Sequence, residues 1–313
     1  MSTTTNTRAL RRLALVAALA VPVAVPPVSS AQVTRCNGLP VTIPPGTEGP
    51  DVIVGTSGRD VIATFGGNDR VSAGPGDDVV CLGTSNDALN GGAGDDLLVA
   101  EAAPDGTDSF AGGSGIDSAR YTLRTESLAV SLDDRPDDGS GDENDNIHAD
   151  VENVTGGSGP NALRGSAAAN ALTGGTANDV IDGGPGNDVL RGSADAGVDG
   201  ADRFLGGSGR DTVSYAARAT GVRVFLDGVA NDGTFPFGEG DNVGAGADVE
   251  HVIGGSGNDS FNARAFFGGV LFEGRDGDDG FTTFNGVLDT NNGGPGVDGC
   301  LDDPTDVRIS CER

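Results

Sequence analysis

Aspartate returns at every ninth residue early in the chain, at Asp51, Asp60, Asp69, Asp78, Asp87 and Asp96. Single carboxylates serve as acids, bases or nucleophiles when their environments set them apart. A regular file of identical carboxylates points to a different chemistry, the gathering of positive charge. At strand spacing, unit charges of one sign repel by roughly 1 kcal/mol or more per pair, so a folded file of this kind calls for cations between its members.

The elements that must position these groups follow from writing residues 46–99 in rows of nine: GTEGPDVIV, GTSGRDVIA, TFGGNDRVS, AGPGDDVVC, LGTSNDALN and GGAGDDLLV. Column six is always aspartate, and column eight reads Ile53, Ile62, Val71, Val80, Leu89, Leu98. Glycines in columns one, two and four permit a tight turn and bring its carbonyls toward a common point. The three residues that follow suffice for a short strand whose column-eight side chain points inward. Nine residues are then half a coil, and eighteen return the chain above itself at a strand spacing of about 4.8 Å. Asp60, Asp78 and Asp96 fall along one edge, and Asp51, Asp69 and Asp87 along the other. The edge with Asp60, Asp78 and Asp96 keeps the glycines better and is expected to hold the firmest ions.

The pattern continues as APDGTDSFA (103–111) and GGSGIDSAR (112–120), which supply Asp108 and Asp117. A second block over 156–191 places Asn161, Asn170, Asp179 and Asp188 in column six, and later rows supply Asp202, Asp211, Asp259, Asp279 and Asp298. Turn chemistry accounts equally well for Asn161 and Asn170. Asp77 and Asp95, in column five, are read as solvated neighbours. Calcium is the expected ion, several per chain, because it accepts six to eight oxygens at about 2.3–2.6 Å in flexible geometry, whereas magnesium demands a stricter octahedron.

A larger duplication interrupts the nonads. YTLRTESLAVSLDD…DNIHADVENVTGG follows GGSGID, and YAARATGVRVFLDG…DNVGAGADVEHVIGG follows GGSGRD. Tyr121 matches Tyr215, and Asp150-Val151-Glu152 matches Asp248-Val249-Glu250. LAVSLD and VRVFLD alternate like half-buried strands, and the acidic stretches 133–145 and 227–241 read as exposed, solvated loops. The expected organisation is a signal peptide (1–31), an N-terminal cap tethered to the first coil (32–45), a first repeat block (46–120), a strand–loop insertion (121–155), and a second block (156–214). A duplicated insertion (215–253), degenerate repeats (254–301) and a disulfide-closed C-terminal segment (302–313) complete it. The fold class is all-β, a β-solenoid of short parallel strands.

Arg8, Arg11 and Arg12 precede the apolar run 13–25, and small residues end at Ala31, as in a cleavable export signal. Arg11-Arg12 leave Sec and twin-arginine export both open. Without those arginines the formal charge moves from −28 to −31, which disfavours nucleic acid and anionic membranes and favours cations. Neither a later membrane span nor a C-terminal anchor is expected, so the mature chain should be extracellular. Cys36 and Cys81 bracket the first block while Cys300 and Cys311 close a short loop; disulfides in that nested pairing are expected in an exported chain, and the spacings match no ordinary zinc pattern.

The rows resemble the glycine–aspartate nonapeptides of the RTX (haemolysin-type) calcium-binding proteins, GGxGxDx-aliphatic-x. The cleavable leader and Cys-bounded end make the chain look more like the free-standing secreted bacterial members than the toxins. The resemblance implies a right-handed parallel β-roll in which calcium lies between turns two nonads apart. Its ligands would be the column-six aspartates and loop carbonyls such as those of Gly55, Ser57, Ala73, Pro75, Gly91 and Ala93. It implies a secreted calcium-binding protein whose folding the ion drives. An adhesive or structural surface protein with an extracellular glycan or surface partner is the alternative. A polysaccharide-modifying or lipolytic enzyme is the remaining reading; His148 and His251 stand outside any HExxH, no GxSxG is present, and no catalytic residue is assigned.

Overall fold

Side chains of column eight point to the inside of the structure. In the computed structural model, which describes residues 35–312 apart from 142, 195–196, 198, 235–238, 245–247 and 267, Ile62, Val80, Leu98, Leu172, Leu190, Val213 and Val252 are buried on one wall. Ile53, Val71, Leu89, Leu163, Ile181 and Phe204 are buried on the other. The proposed leader, residues 1–31, lies outside the described residues.

Every regular element among the described residues is a strand, usually of three or four residues. One wall is a continuous parallel sheet of twelve strands, from Val61–Ala63 to Val307–Ile309. Its register advances by whole coils: Ile62 sits beside Val80, Val80 beside Leu98, and Leu98 beside Ala119. This is the parallel β-solenoid that the nine-residue period requires, with about twelve turns.

The opposite wall is broken into sheets of five, four and five strands, and the duplicated insertions make the breaks. After strand Ser118–Arg120 the chain crosses to strand Leu128–Ser131, which pairs upward with Asn161–Arg164. It then folds back, so that strand Asn146–Ile147 pairs downward with Ser109–Ser114. The second insertion repeats the manoeuvre with strand Val222–Phe225, which pairs with Ser260–Asn262. Beyond it the core turns aromatic: the Phe261 ring stacks on Phe272 and Phe281 at centroid distances of 5.0 and 5.4 Å.

Two expectations are corrected here. The acidic insertion loops are not simply solvated, because Asp138, Glu143, Asp145, Asp232 and Asp241 are buried; their carboxylates accept backbone N–H groups, as Asp138 does from Ser131 and Ile147. The N-terminal segment does more than cover the first coil. Its hairpin, Arg35–Cys36 with Leu39–Pro40, lies on the outer sheet face, where Cys36 and Leu39 join Val61, Val79, Cys81, Leu97 and Val99 in a second small apolar cluster. Columns seven and nine are both apolar or nearly so in these rows, which is the sequence trace of that covering, although Val52 and Val54 of the preceding row are apolar as well and stay exposed on the other wall. The Cys36–Cys81 disulfide fastens the hairpin, and Cys300–Cys311 fastens the far end.

Candidate calcium sites

Each glycine turn ends in a column-six residue whose side chain points back along the edge. The backbone N–H of Asp60 donates to Asp78 Oδ1 at 2.7 Å, that of Asp78 to Asp96 Oδ1 at 2.9 Å, and that of Asp96 to Asp117 Oδ1 at 2.8 Å. On the other edge Asp51, Asp69 and Asp87 donate in the same way to Asp69, Asp87 and Asp108. One oxygen of each acceptor carboxylate is thus occupied by the coil before it.

The second oxygen is not. Oδ2 of Asp69, Asp78, Asp87, Asp96, Asp117, Asp179, Asp188, Asp202, Asp211, Asp279 and Asp298 is buried and accepts no hydrogen bond. A buried, unpaired carboxylate oxygen is costly, and its surroundings show what would satisfy it. A Cβ added to Gly91 would meet Asp96 Oδ2 at 2.4 Å and the carbonyl oxygen of Gly112 at 2.6 Å. On Gly183 it would meet Asp188 Oδ2 at 2.5 Å and the Gly206 carbonyl at 2.7 Å. The bare face of column one therefore opens on a space lined by a carboxylate oxygen and a carbonyl oxygen of the next coil, acceptors with no donor.

Asn161 identifies what belongs in that space. Its amide nitrogen, the chemical stand-in for a cation, donates to the carbonyls of Gly159 at 2.7 Å, Gly174 at 3.1 Å and Gly157 at 3.2 Å, and to Asp179 Oδ1 at 3.0 Å. Where aspartate replaces asparagine, the donor vanishes and another negative oxygen takes its place. An oxygen-only cradle of carboxylates and carbonyls suits a hard divalent cation, so the residues present fit calcium.

The rungs at the start of the ladders differ, Asp289 excepted. Asp60 Oδ2 accepts from the N–H and hydroxyl of Thr56 at 2.6 and 3.0 Å, and Asp51 Oδ2 likewise from Thr47. Asp259 Oδ2 accepts from Gly255 N–H, and Asn170 Oδ1 from Ser166 N–H. These side chains are satisfied within the protein, so Asp60 differs from Asp78 and Asp96 on its own edge. Asp108 accepts from Asp87 and donates through its N–H to Asp145. Of the carbonyl positions, Gly55 faces the Ala73 oxygen, and Gly91 faces that of Gly112. Ser57, Pro75 and Ala93 lie on the exposed outside of the turns, where the Ala93 carbonyl accepts Gly76 N–H. Asp77 and Asp95 are exposed and form a ladder of their own, Asp95 N–H to Asp77 Oδ1.

The nonad pattern overlooks several rungs. Asp117 and Asp211 donate to Glu152 and Glu250, Asp202 donates to Asp241, Asp298 donates to Glu312, and Asp289 donates to Asp306. Asp289 also carries an unpaired, buried Oδ2. The repeated Asp-Val-Glu of the two insertions was the available signal: its glutamates, one methylene longer, reach the ladder from outside the nonad frame. His148 and His251 sit away from the turns, His148 beside Ser109 (3.0 Å) and Asp134 (3.4 Å), and His251 beside Thr212 (3.2 Å) and Glu273 (3.3 Å).

Charge without counter-charge shows in the acidities. Burial first, and neighbouring carboxylates after it, push Asp96 and Asp279 up to about 7, Asp108 to about 8 and Asp202 to about 9. Asp87, Asp117, Asp179 and Asp188 rise to about 6, chiefly through burial. Backbone N–H donors oppose these rises without cancelling them. The fold alone therefore holds its carboxylates against their ordinary ionisation, and a divalent cation reverses that balance.

Among the described residues no helix is long and apolar enough to cross a membrane. A search of curated proteins finds no match to the chain. The family model of the RTX calcium-binding nonapeptide repeat matches residues 45–80, 83–119, 155–190, 164–198, 196–214 and 244–265. With the repeats, the parallel solenoid and the acceptor-only cradles in agreement, the chain is a member of the RTX calcium-binding repeat family.

Proposed function

We propose that this is an exported calcium-binding protein whose roll is completed by ions seated between successive coils. The observation that carries the reading is the row of buried, unpaired Oδ2 atoms, most of them beside a bare glycine, as Asp96, Asp117, Asp179, Asp188, Asp211 and Asp298 are, with a carbonyl of the next coil facing several of them. The extracellular setting rests on the basic and apolar leader, together with two disulfides that suit an oxidising compartment. Extracellular sites of this type work at affinities of about 10⁻⁴–10⁻³ M, so the chain would stay loose in a low-calcium cytoplasm and close after export, its charge repulsion converted to cross-linking. The reading assigns the chain no catalytic chemistry. Thermal unfolding of residues 32–313 in chelator and in millimolar calcium tests it: a calcium-dependent rise in melting temperature, absent with magnesium, is expected, and identical melting in all three conditions would overturn it.

A further inference from the structure

The hydrogen-bonded ladders do not run the length of the roll. On one edge they span Asp51 to Asp145, then Asn161 to Asp241, then Asp259 to Glu312; on the other they end at Glu152 and at Glu250 and start again at Asn170 and at Asp289. The breaks fall at the duplicated insertions and divide the ladders into three banks. In the turns that begin the second and third banks, Leu128 and Val222 stand level with Asn161 and Asp259, the position at which aspartate stands elsewhere.

A buried arginine occupies each joint. Arg124, 1% exposed, places Nη2 2.8 Å from Asp105 Oδ1 and 2.8 Å from Glu143 Oε1. Its backbone carbonyl accepts the N–H of Ser158, in the bank above, while both carboxylates belong to the bank below. Arg218 repeats the arrangement. Its Nη2 pairs with Asp199 and lies 3.0 Å from Glu239 Oε1, and its carbonyl accepts Ser256 N–H. The partner carboxylates are themselves buried. Inside the banks, buried carboxylate oxygens face carbonyls with no donor; at the joints they face a guanidinium.

We infer that Arg124 and Arg218 are resident cations of the roll, standing at the two joints where calcium stands inside the banks. This inference rests on the calcium reading above. A guanidinium is charged at every physiological pH and is covalently attached, so the joints need no free ion, and calcium loads only within the three banks. The insertions bring their own counter-charge to the levels at which they interrupt the glycine cradle.

The test is the number of calcium ions bound per chain at saturation, by equilibrium dialysis, for residues 32–313 and the variants Arg218→Gln and Arg218→Lys. Arg218→Gln should bind one ion more than the unaltered chain, and Arg218→Lys, which keeps a charge, the same number. Arg124→Gln should repeat the gain of one at the other joint. An unchanged count in folded Arg218→Gln would overturn the inference. So would an Arg218→Gln chain that stays unfolded at saturating calcium while Arg218→Lys folds, because calcium would then be unable to stand in for the guanidinium. An unaltered chain that binds no calcium would refute the ion reading instead. The joint would then be judged in chelator, where Arg218→Lys melting above Arg218→Gln supports a resident cation, and equal melting overturns it.

Discussion

Gly183→Ala tests the cradle with a single methyl group. Gly183 does not lie in the left-handed region, so the substitution imposes no backbone strain, and its whole effect comes from what the new Cβ meets. That atom would lie 2.5 Å from Asp188 Oδ2 and 2.7 Å from the Gly206 carbonyl oxygen, closer than a carbon and an oxygen can rest. One neighbour is main chain pinned in the next coil and the other is anchored by the N–H of Asn170 at 2.8 Å. Overpacking of this kind costs about 1–3 kcal/mol. The methyl group also fills the ion's place. At a calcium concentration tenfold above the dissociation constant, the lost site removes about 1.4 kcal/mol more. The combined loss of about 2.5–4.5 kcal/mol should lower the melting temperature in calcium by roughly 5–15 °C and reduce the bound calcium by one ion. Gly58→Ala is the control: that glycine is exposed, outside the left-handed region, and its added Cβ meets nothing within 4 Å. The control should melt at or slightly above the unaltered temperature, since replacing glycine stiffens the unfolded chain. Differential scanning calorimetry with calcium dialysis reads both quantities. If Gly183→Ala and Gly58→Ala behave alike, the space beside column one is not an ion site.

Three further outcomes are expected. Asp96→Asn should supply the amide donor that Asn161 supplies naturally, so chelator stability should rise by about 1 kcal/mol while calcium binding falls by one ion; a loss of stability in chelator, read by urea denaturation, would contradict this. In chelator the chain should be most stable in acid. Burial raises the folded-state pKa values of Asp96, Asp279 and Asp188 to about 7, 7 and 6 from 3.8, so the stability they give is fully present below about pH 4 and is lost as the pH rises through about 6–7; melting temperatures in chelator that stay level or climb between pH 4 and 7 would count against it. Replacing Cys36 and Cys81 together by alanine opens a link between residues 45 apart and should cost about 4 kcal/mol by loop entropy, seen as a lower urea midpoint at saturating calcium, whereas an unchanged midpoint would mean that the outer hairpin does not brace the first coils.

The sequence disclosed much of this because the period is short and rigid. A nine-residue repeat with one acidic and one aliphatic column leaves a chain little choice but stacked half-coils, and the ladders of Asp78 and Asp96 lie where the spacing put them. Other features were hidden because they depend on what stands in the next coil. Asp60 and Asp96 occupy the same column, yet Thr56 satisfies Asp60, and nothing among the described residues satisfies Asp96 Oδ2. The acidic loops of the insertions read as solvent-loving by composition, but their carboxylates cap strand N–H groups and pair with Arg124 and Arg218 across a break that only the folded chain reveals. Glu152 and Glu250 were visible as a duplicated motif, while their place in the ladders came from reach, not from register.

The most direct measurement is a calcium titration of residues 32–313 followed by far-ultraviolet circular dichroism, with magnesium in parallel. A cooperative gain of β-structure at sub-millimolar to millimolar calcium, not reproduced by magnesium, is the expected result. A spectrum unchanged by either ion, with the roll already formed in chelator at neutral pH, would contradict the claim that cations between the coils complete the fold.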